Sequence, residues 1–188
     1  MPLKIFRGGQ KAIELFGFGT AKVPPGFRCD IGMGGFVVSE NDLATTAIGT
    51  DGAGPCQIIV VHKTKGCGAI GHYPGDNRPE KVAQGVALMV QKLGGGPIES
   101  ILLAAGLVGR DQKEQTHYTT NLQAHIASMC KVGTIRLPEP PDLTGSSVWD
   151  SCYYFPLEEE VALLEDCPGV FYGDGDGSGN GIRKCVFE

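Results

Sequence analysis

The sequence has no cluster of basic residues. Its 16 Lys and Arg against 21 Asp and Glu give a formal net charge of −5, and phosphate recognition needs Lys and Arg gathered on one face. No nucleic acid is therefore expected as a partner. There is also no apolar run of about 18 residues of the kind that spans a bilayer, so membrane insertion is not expected. The stretch MPLKIFRGGQ lacks the apolar centre of a secretory signal. The expected location is cytoplasmic, or exported without a cleavable signal. No C-x-x-C pair occurs among Cys29, Cys56, Cys67, Cys130, Cys152, Cys167 and Cys185. Their odd number and scatter fit neither a zinc site nor a disulfide framework, and no metal or cofactor is expected. Internal repeats are absent, and 188 residues suit one domain, 1–188, able to bury roughly two thirds of its unfolded surface.

What the chain has in excess is glycine, 29 residues, about twice the usual share. With 41% apolar residues, this points to many tight turns between strands rather than to disorder. Strand-like runs fall at Leu3–Phe6, Ala12–Phe16, Phe27–Ile31, Gly35–Val38 and Leu43–Ile48, broken most plainly at Pro24-Pro25-Gly26 and Ser39 to Asp42. Asn77 reads as a helix N-cap with Glu80 as its capping-box partner and Pro79 in the first turn. Val82, Val86, Met89 and Leu93 then recur at helical spacing until Gly94. Ile98–Ala105 is a buried strand. A second helix, Gln115 to Lys131, carries Tyr118, Leu122, Ile126 and Met129 on one face, with Gly133 as its stop. Thr134–Leu137 and Val148–Phe155 are strands, Leu157–Asp166 is a short acidic helix with Glu158-Glu159-Glu160 solvated, and Ile182–Phe187 closes the chain as a strand. The fold expected is α/β (α+β): a layered β-sandwich of mostly antiparallel strands with flanking helices on one side.

The chemistry gathers in residues 45 to 74. A Gly-rich turn, Gly52-Ala53-Gly54-Pro55, delivers Cys56 to the head of the β-branched run Ile58-Ile59-Val60-Val61. Lys63-Thr64-Lys65-Gly66 then turns the chain back into Cys67–His72, forming a hairpin. If His62 sits opposite Gly66, Cys56 faces His72. If His62 pairs with Cys67, the two side chains fall on opposite faces unless a bulge intervenes. In either register both lie at one end of one hairpin, where an imidazole can take the thiol proton and stabilise a thiolate.

Thr50-Asp51-Gly52-Ala53-Gly54-Pro55-Cys56, followed by Gly71-His72, resembles the T-x-G-x-G-x-C … H signature of the chemoreceptor glutamine deamidases (CheD). The same Thr, Cys and His arrangement occurs in the catalytic domains of cytotoxic necrotizing factor-type toxins and the Burkholderia lethal factor. In the deamidases the chain closes with a Gly-Gly-Asn-Arg-like stretch, whose place is taken here by Gly177-Ser178-Gly179-Asn180-Gly181-Ile182-Arg183. The resemblance covers about two thirds of the chain and implies a protein-glutamine deamidase. In it Cys56 is the nucleophile, His72 the acid and base, Thr50 the residue that orients His72, and Gly179-Asn180 a loop bordering the site. Its partner would be a target protein carrying the glutamine. Pro55 departs from the family, which has Ser or Gly there; it has no N–H to offer an oxyanion, so the hole must use other donors such as the amide of Cys56.

Two readings of other classes stay open: a non-catalytic protein-binding module on the same fold, which Pro55 favours, and a small-molecule thiol amidohydrolase. The remaining polar residues read more plainly. His117 and His125 are eight positions apart on one helix and do not converge as ligands; His62 is a strand-end residue near the turn. Trp149, Tyr153 and Tyr154 belong to the core or the rim of a groove, with the core favoured for Trp149. Cys67 is the cysteine expected nearest Cys56. Asp174, Asp176 and Ser178 imitate the start of a calcium loop, but its twelfth position is Cys185 instead of glutamate.

Overall fold

The computed structural model describes residues 3–7, 27–29, 34–40, 47–50, 56–105, 112–137 and 149–165. They form ten strands and two helices: β1 (Lys4–Arg7), β2 (Phe27–Cys29), β3 (Gly35–Glu40), β4 (Ala47–Thr50), β5 (Gln57–Thr64), β6 (Cys67–Tyr73), α1 (Pro79–Lys92), β7 (Ile98–Ala105), α2 (Gln112–Met129), β8 (Val132–Arg136), β9 (Trp149–Phe155) and β10 (Glu160–Glu165). One sheet runs β1-β10-β9-β4-β2 and the other β3-β6-β5-β7-β8. The pairs β1–β10, β2–β4 and β7–β8 are parallel, and the others antiparallel.

The uninterrupted apolar run of β5 explains the layering. A strand covered on one face alternates apolar and polar residues, whereas one covered on both need not. Ile59 and Val61 face one core with Val82, Val86 and Met89 of α1 and Leu122 and Ile126 of α2. Ile58 and Val60 face a second core with Ile48, Cys152, Tyr154, Val161 and Leu163 of the other sheet. The order of layers is thus helices, central sheet, second sheet. Each of these four β5 side chains is almost wholly removed from water, worth about 1.5–3 kcal/mol apiece.

Several expected details change. The segment 157–166 is not a helix. After the turn Pro156–Glu159, β10 pairs antiparallel with β9 and parallel with β1, because Val161 and Leu163 alternate into the inter-sheet core. Glu159 and Glu160 are accordingly buried rather than solvated. Helix α1 is capped one residue later than Asn77: Arg78 takes the N-cap without a side-chain bond, and Pro79 fixes the first turn. The Asn77 carbonyl instead accepts from the Tyr118 hydroxyl of α2 at 2.9 Å. At its other end Gly94 has φ +77°, and the N–H of Gly95 donates to the Val90 carbonyl at 2.8 Å, closing the helix as the sequence suggests. Gly133 lies within β8, where a Cβ would come within 2.7 Å of the Glu99 carbonyl. Met129 is 45% exposed, and Cys130 fills the core position beside it. The runs 12–16 and 182–187 lie outside the described residues.

The hairpin also differs from both registers considered. β5 continues through Thr64, which pairs with Cys67 across the two-residue turn Lys65-Gly66, and Gly66 takes φ +76°. Lys63 is an extra residue between the Thr64 and His62 pairs, a bulge that shifts the ladder by one. His62 then pairs with Gly68, and Ile58, not Cys56, stands opposite His72.

Candidate active site

The shifted register keeps the parity that matters. Ile58 and His72 are paired and share a face, and Cys56 lies two residues before Ile58 on that same face, toward the second sheet. Cys56 and His72 are therefore diagonal neighbours at one end of the hairpin, a relation within reach of a ring and a thiol. Thr50 enters from the opposite layer. It ends β4, pairs with Cys152 of β9, and places its Oγ1 2.8 Å from Nδ1 of His72. Thr50 and His72 are both buried, so little solvent competes for this bond. With Nδ1–H donating to Thr50, the imidazole's lone pair sits on Nε2; with the hydroxyl donating, the tautomer reverses.

Cys56 is buried at the edge of the inter-sheet core. Burial pushes its thiol above the usual range. A hydrogen bond from the main-chain N–H of Gly75 opposes that rise, and the carboxylate of Asp76 adds to it. The main chain just after His72 thus reaches back to the sulfur, so one loop supplies both a donor and a negative charge to the thiol. The thiol form is thereby favoured over the thiolate.

Of the other expected site residues, Gly52, Gly54, Pro55, Gly179 and Asn180 lie outside the described residues, as does the calcium-like tract from Asp174. Cys67 is not near Cys56. It starts β6 at the opposite end of the hairpin and faces the helix-side core, because strand parity separates it from His72. Cys130 also faces the helices, while Cys152 lies in the inter-sheet core across from Thr50. All three, like Cys56, are buried. Tyr153 and Tyr154 are fully buried rather than lining a groove. The side chain of Trp149 is outside the described ones. His117 is exposed on α2, 3.1 Å from Asn121, and His125 lies 3.6 Å from Glu80. His62 lies near the turn end of β5, as expected, and is fully buried there. Its role escaped the sequence because its partners come from β7, β9 and the β9–β10 turn, far away in the chain.

Among the described residues, no helix is long and apolar enough to cross a membrane. Compared with known proteins, the chain matches no protein-family model, and no curated protein matches it.

Proposed function

We propose that this protein hydrolyses the side-chain amide of a glutamine in a target protein, in the manner of the CheD-like and cytotoxic necrotizing factor-like deamidases that its Thr-Cys-His motif resembles. The observation that carries this reading is the 2.8 Å contact between Thr50 Oγ1 and His72 Nδ1, formed between two sheets on the face that also bears Cys56. A hydroxyl behind an imidazole fixes the ring, and Cys56, its diagonal neighbour on the same face, supplies the thiol that nucleophilic catalysis pairs with such a base.

In this mechanism His72 takes the Cys56 proton as the sulfur attacks the glutamine Cδ. The tetrahedral oxyanion is met by main-chain N–H groups, with the amide of Cys56 the nearest by sequence. Collapse breaks the C–N bond, His72 returns its proton to the leaving ammonia, and a thioester remains. Water, deprotonated by His72, then cleaves the C–S bond to give glutamate and free thiol. Burial of Cys56 makes its activation dependent on substrate, which protects the thiol between turnovers. No metal or cofactor enters these steps.

The same burial and raised thiol pKa favour a second reading, a non-catalytic protein-binding module on this fold. A small-molecule thiol amidohydrolase is the third. The experiment is to incubate the purified chain with candidate glutamine-bearing proteins and with free glutamine. Released ammonia is measured, and glutamate in place of glutamine is mapped by peptide mass spectrometry. Conversion of protein glutamine that is lost in Cys56→Ser and His72→Ala, and kept in His125→Ala, supports deamidation. Conversion of free glutamine alone supports the amidohydrolase. Stable binding of a target without ammonia release supports the binding module.

A further inference from the structure

The opposite end of the inter-sheet layer holds a second polar group of residues. Ser39 of β3, Gly68 of β6, His62 of β5 and Ser100 of β7 are successive partners across the central sheet. Ser39, His62 and Ser100 are all buried; Ser39 Oγ and Ser100 Oγ have no hydrogen-bond partner among the described residues, and His62 Nε2 has only the carboxylates of Glu159 and Glu99 beside it. Buried polar atoms are normally satisfied, so two unsatisfied hydroxyls flanking a buried imidazole mark a place built for something other than packing.

Around His62 the geometry is specific. Its Nδ1 lies 2.7 Å from the hydroxyl of Tyr154, which enters from the second sheet. Its Nε2 lies 3.4 Å from Glu159 Oε1 and 3.7 Å from Glu99 Oε2. The three ligand atoms all fall within 4.8 Å of one another. These separations are long for a charged hydrogen bond, which is about 2.7–2.9 Å. They are close to the edge of a tetrahedron of ligands about 2.0–2.1 Å from one ion, which is about 3.4 Å. The side chains of His62 and Glu159 are nearly inaccessible, at 0% and 9%, while Glu99 is 39% exposed, giving an ion a way in and room for a water ligand.

The scaffold holds these groups firmly. Glu159 has φ +58°, a left-handed conformation uncommon for a residue with a side chain. Its carbonyl accepts from the Lys4 N–H at 2.9 Å, and the carbonyl of Pro156 in the same turn accepts from the Gly66 N–H at 2.8 Å. The β9–β10 turn is thereby pinned to β1 and to the tip of the β5–β6 hairpin. We propose that His62, Glu99 and Glu159 form a binding site for one divalent transition-metal ion of the zinc or manganese type, with Tyr154 as the partner that orients the imidazole. One imidazole and two carboxylates suit such ions, two negative charges neutralise a divalent cation, and a histidine ligand is fixed by an acceptor on its far nitrogen, a place taken here by the Tyr154 hydroxyl oxygen. His62 and Cys56 are six residues apart along β5, about 20 Å at 3.3–3.4 Å per residue. The ion would therefore join the two sheets as a structural link and take no part at Cys56.

The test uses the full chain carrying Cys56→Ser, so that the active-site thiol does not bind the probe. Zinc and manganese chlorides are titrated calorimetrically, and the melting temperature is followed with each ion. One equivalent should bind and raise the melting temperature, since an ion bound only by the folded state stabilises it. Glu99→Gln, at a half-exposed position that tolerates change, should abolish both effects, and Tyr154→Phe should weaken binding about ten- to a hundred-fold. Cobalt in the same site should give a visible spectrum without thiolate-to-metal charge transfer. Failure of either ion to bind, or binding unaffected by both Glu99→Gln and Glu159→Gln, would overturn the proposal. Ammonia release by the unmodified chain is independent of these outcomes.

Discussion

Thr50 and His72 belong to different sheets, yet the hydroxyl of one lies 2.8 Å from Nδ1 of the other. The bond crosses the inter-sheet layer beside Ile48 and Cys152, so the packing of two sheets, not a local loop, sets the orientation of the imidazole. Thr50→Val keeps the shape and removes the bond. If His72 is the acid and base, its misorientation should lower kcat about 10²-fold or more with little change in KM, and Thr50→Ser should restore most of the rate. Loss of the buried partner should also cost about 1–3 kcal/mol in urea denaturation. A Thr50→Val protein that deamidates at the parental rate would show that Thr50 plays no positioning part.

Alkylation by iodoacetamide reports on Cys56 directly. Cys152 is fully enclosed, whereas Cys56, Cys67 and Cys130 are 6%, 7% and 8% exposed, so accessibility alone does not single out Cys56; if His72 takes its proton, Cys56 should react before Cys67, Cys130 and Cys152. Because burial raises the Cys56 pKa and only thiolate attacks, its labelling rate in the unliganded protein should still be climbing above pH 9.0, the ordinary thiol value. Addition of a true substrate protein should block labelling. Fast labelling of Cys130 or Cys152 in the folded state, with Cys56 inert, would remove Cys56 from consideration as nucleophile.

How far the sequence reached is visible in two contrasts. The run Ile58–Val61 and the helical spacing of Val82, Val86 and Met89 placed β5 and α1 correctly, because each pattern reflects which faces are buried. Residues 157–166 misled, because three consecutive glutamates favour a solvated helix until Val161 and Leu163 find a sheet to face. The site divides in the same way. Cys56 and His72 are linked by one hairpin, but parity left their shared face open between two registers, and only the bulge at Lys63, which no local pattern announces, decides it. His62, Glu99, Tyr154 and Glu159 are brought together only by tertiary packing. No local spacing announces them.

Tyr73 offers a test of the helix-side core. Its hydroxyl is buried with no hydrogen-bond partner among the described residues, and burial alone pushes its pKa up from 10.0. Tyr73→Phe removes an unsatisfied group and leaves the ring, so it should raise stability by up to about 1 kcal/mol at neutral pH. The pH dependence has a definite sign. The unfolded chain releases the phenolic proton near the ordinary value while the folded chain holds it, so this contribution to stability is intact below pH 10.0 and is lost as pH rises through the raised folded value. Tyr73→Phe should therefore gain on the parent as pH climbs past that point. Denaturation curves at neutral and alkaline pH that differ by the same amount would mean the phenol is not held neutral by burial.

Gly68 separates the effect of space from that of backbone conformation. It sits under the Tyr154 ring, and a Cβ there would overlap the ring and approach the Val61 carbonyl to 2.6 Å. In Gly68→Ala the ring must move, and with it the hydroxyl that holds His62 at 2.7 Å. Overpacking and a broken buried bond together should cost about 2–4 kcal/mol. Gly34 is the matched control: its φ is +90°, yet nothing lies within 4 Å of a Cβ built there. Gly34→Ala should cost about 1–2 kcal/mol, from the left-handed backbone alone. The two variants should also differ in kind, because only Gly68→Ala disturbs the ring packed beside His62. Its near-ultraviolet circular dichroism should change, while that of Gly34→Ala should match the parent. If Gly68→Ala proved as mild as Gly34→Ala and left the aromatic spectrum intact, the close packing of Tyr154 on the central sheet would be wrong, and the alignment of the two sheets at this end with it.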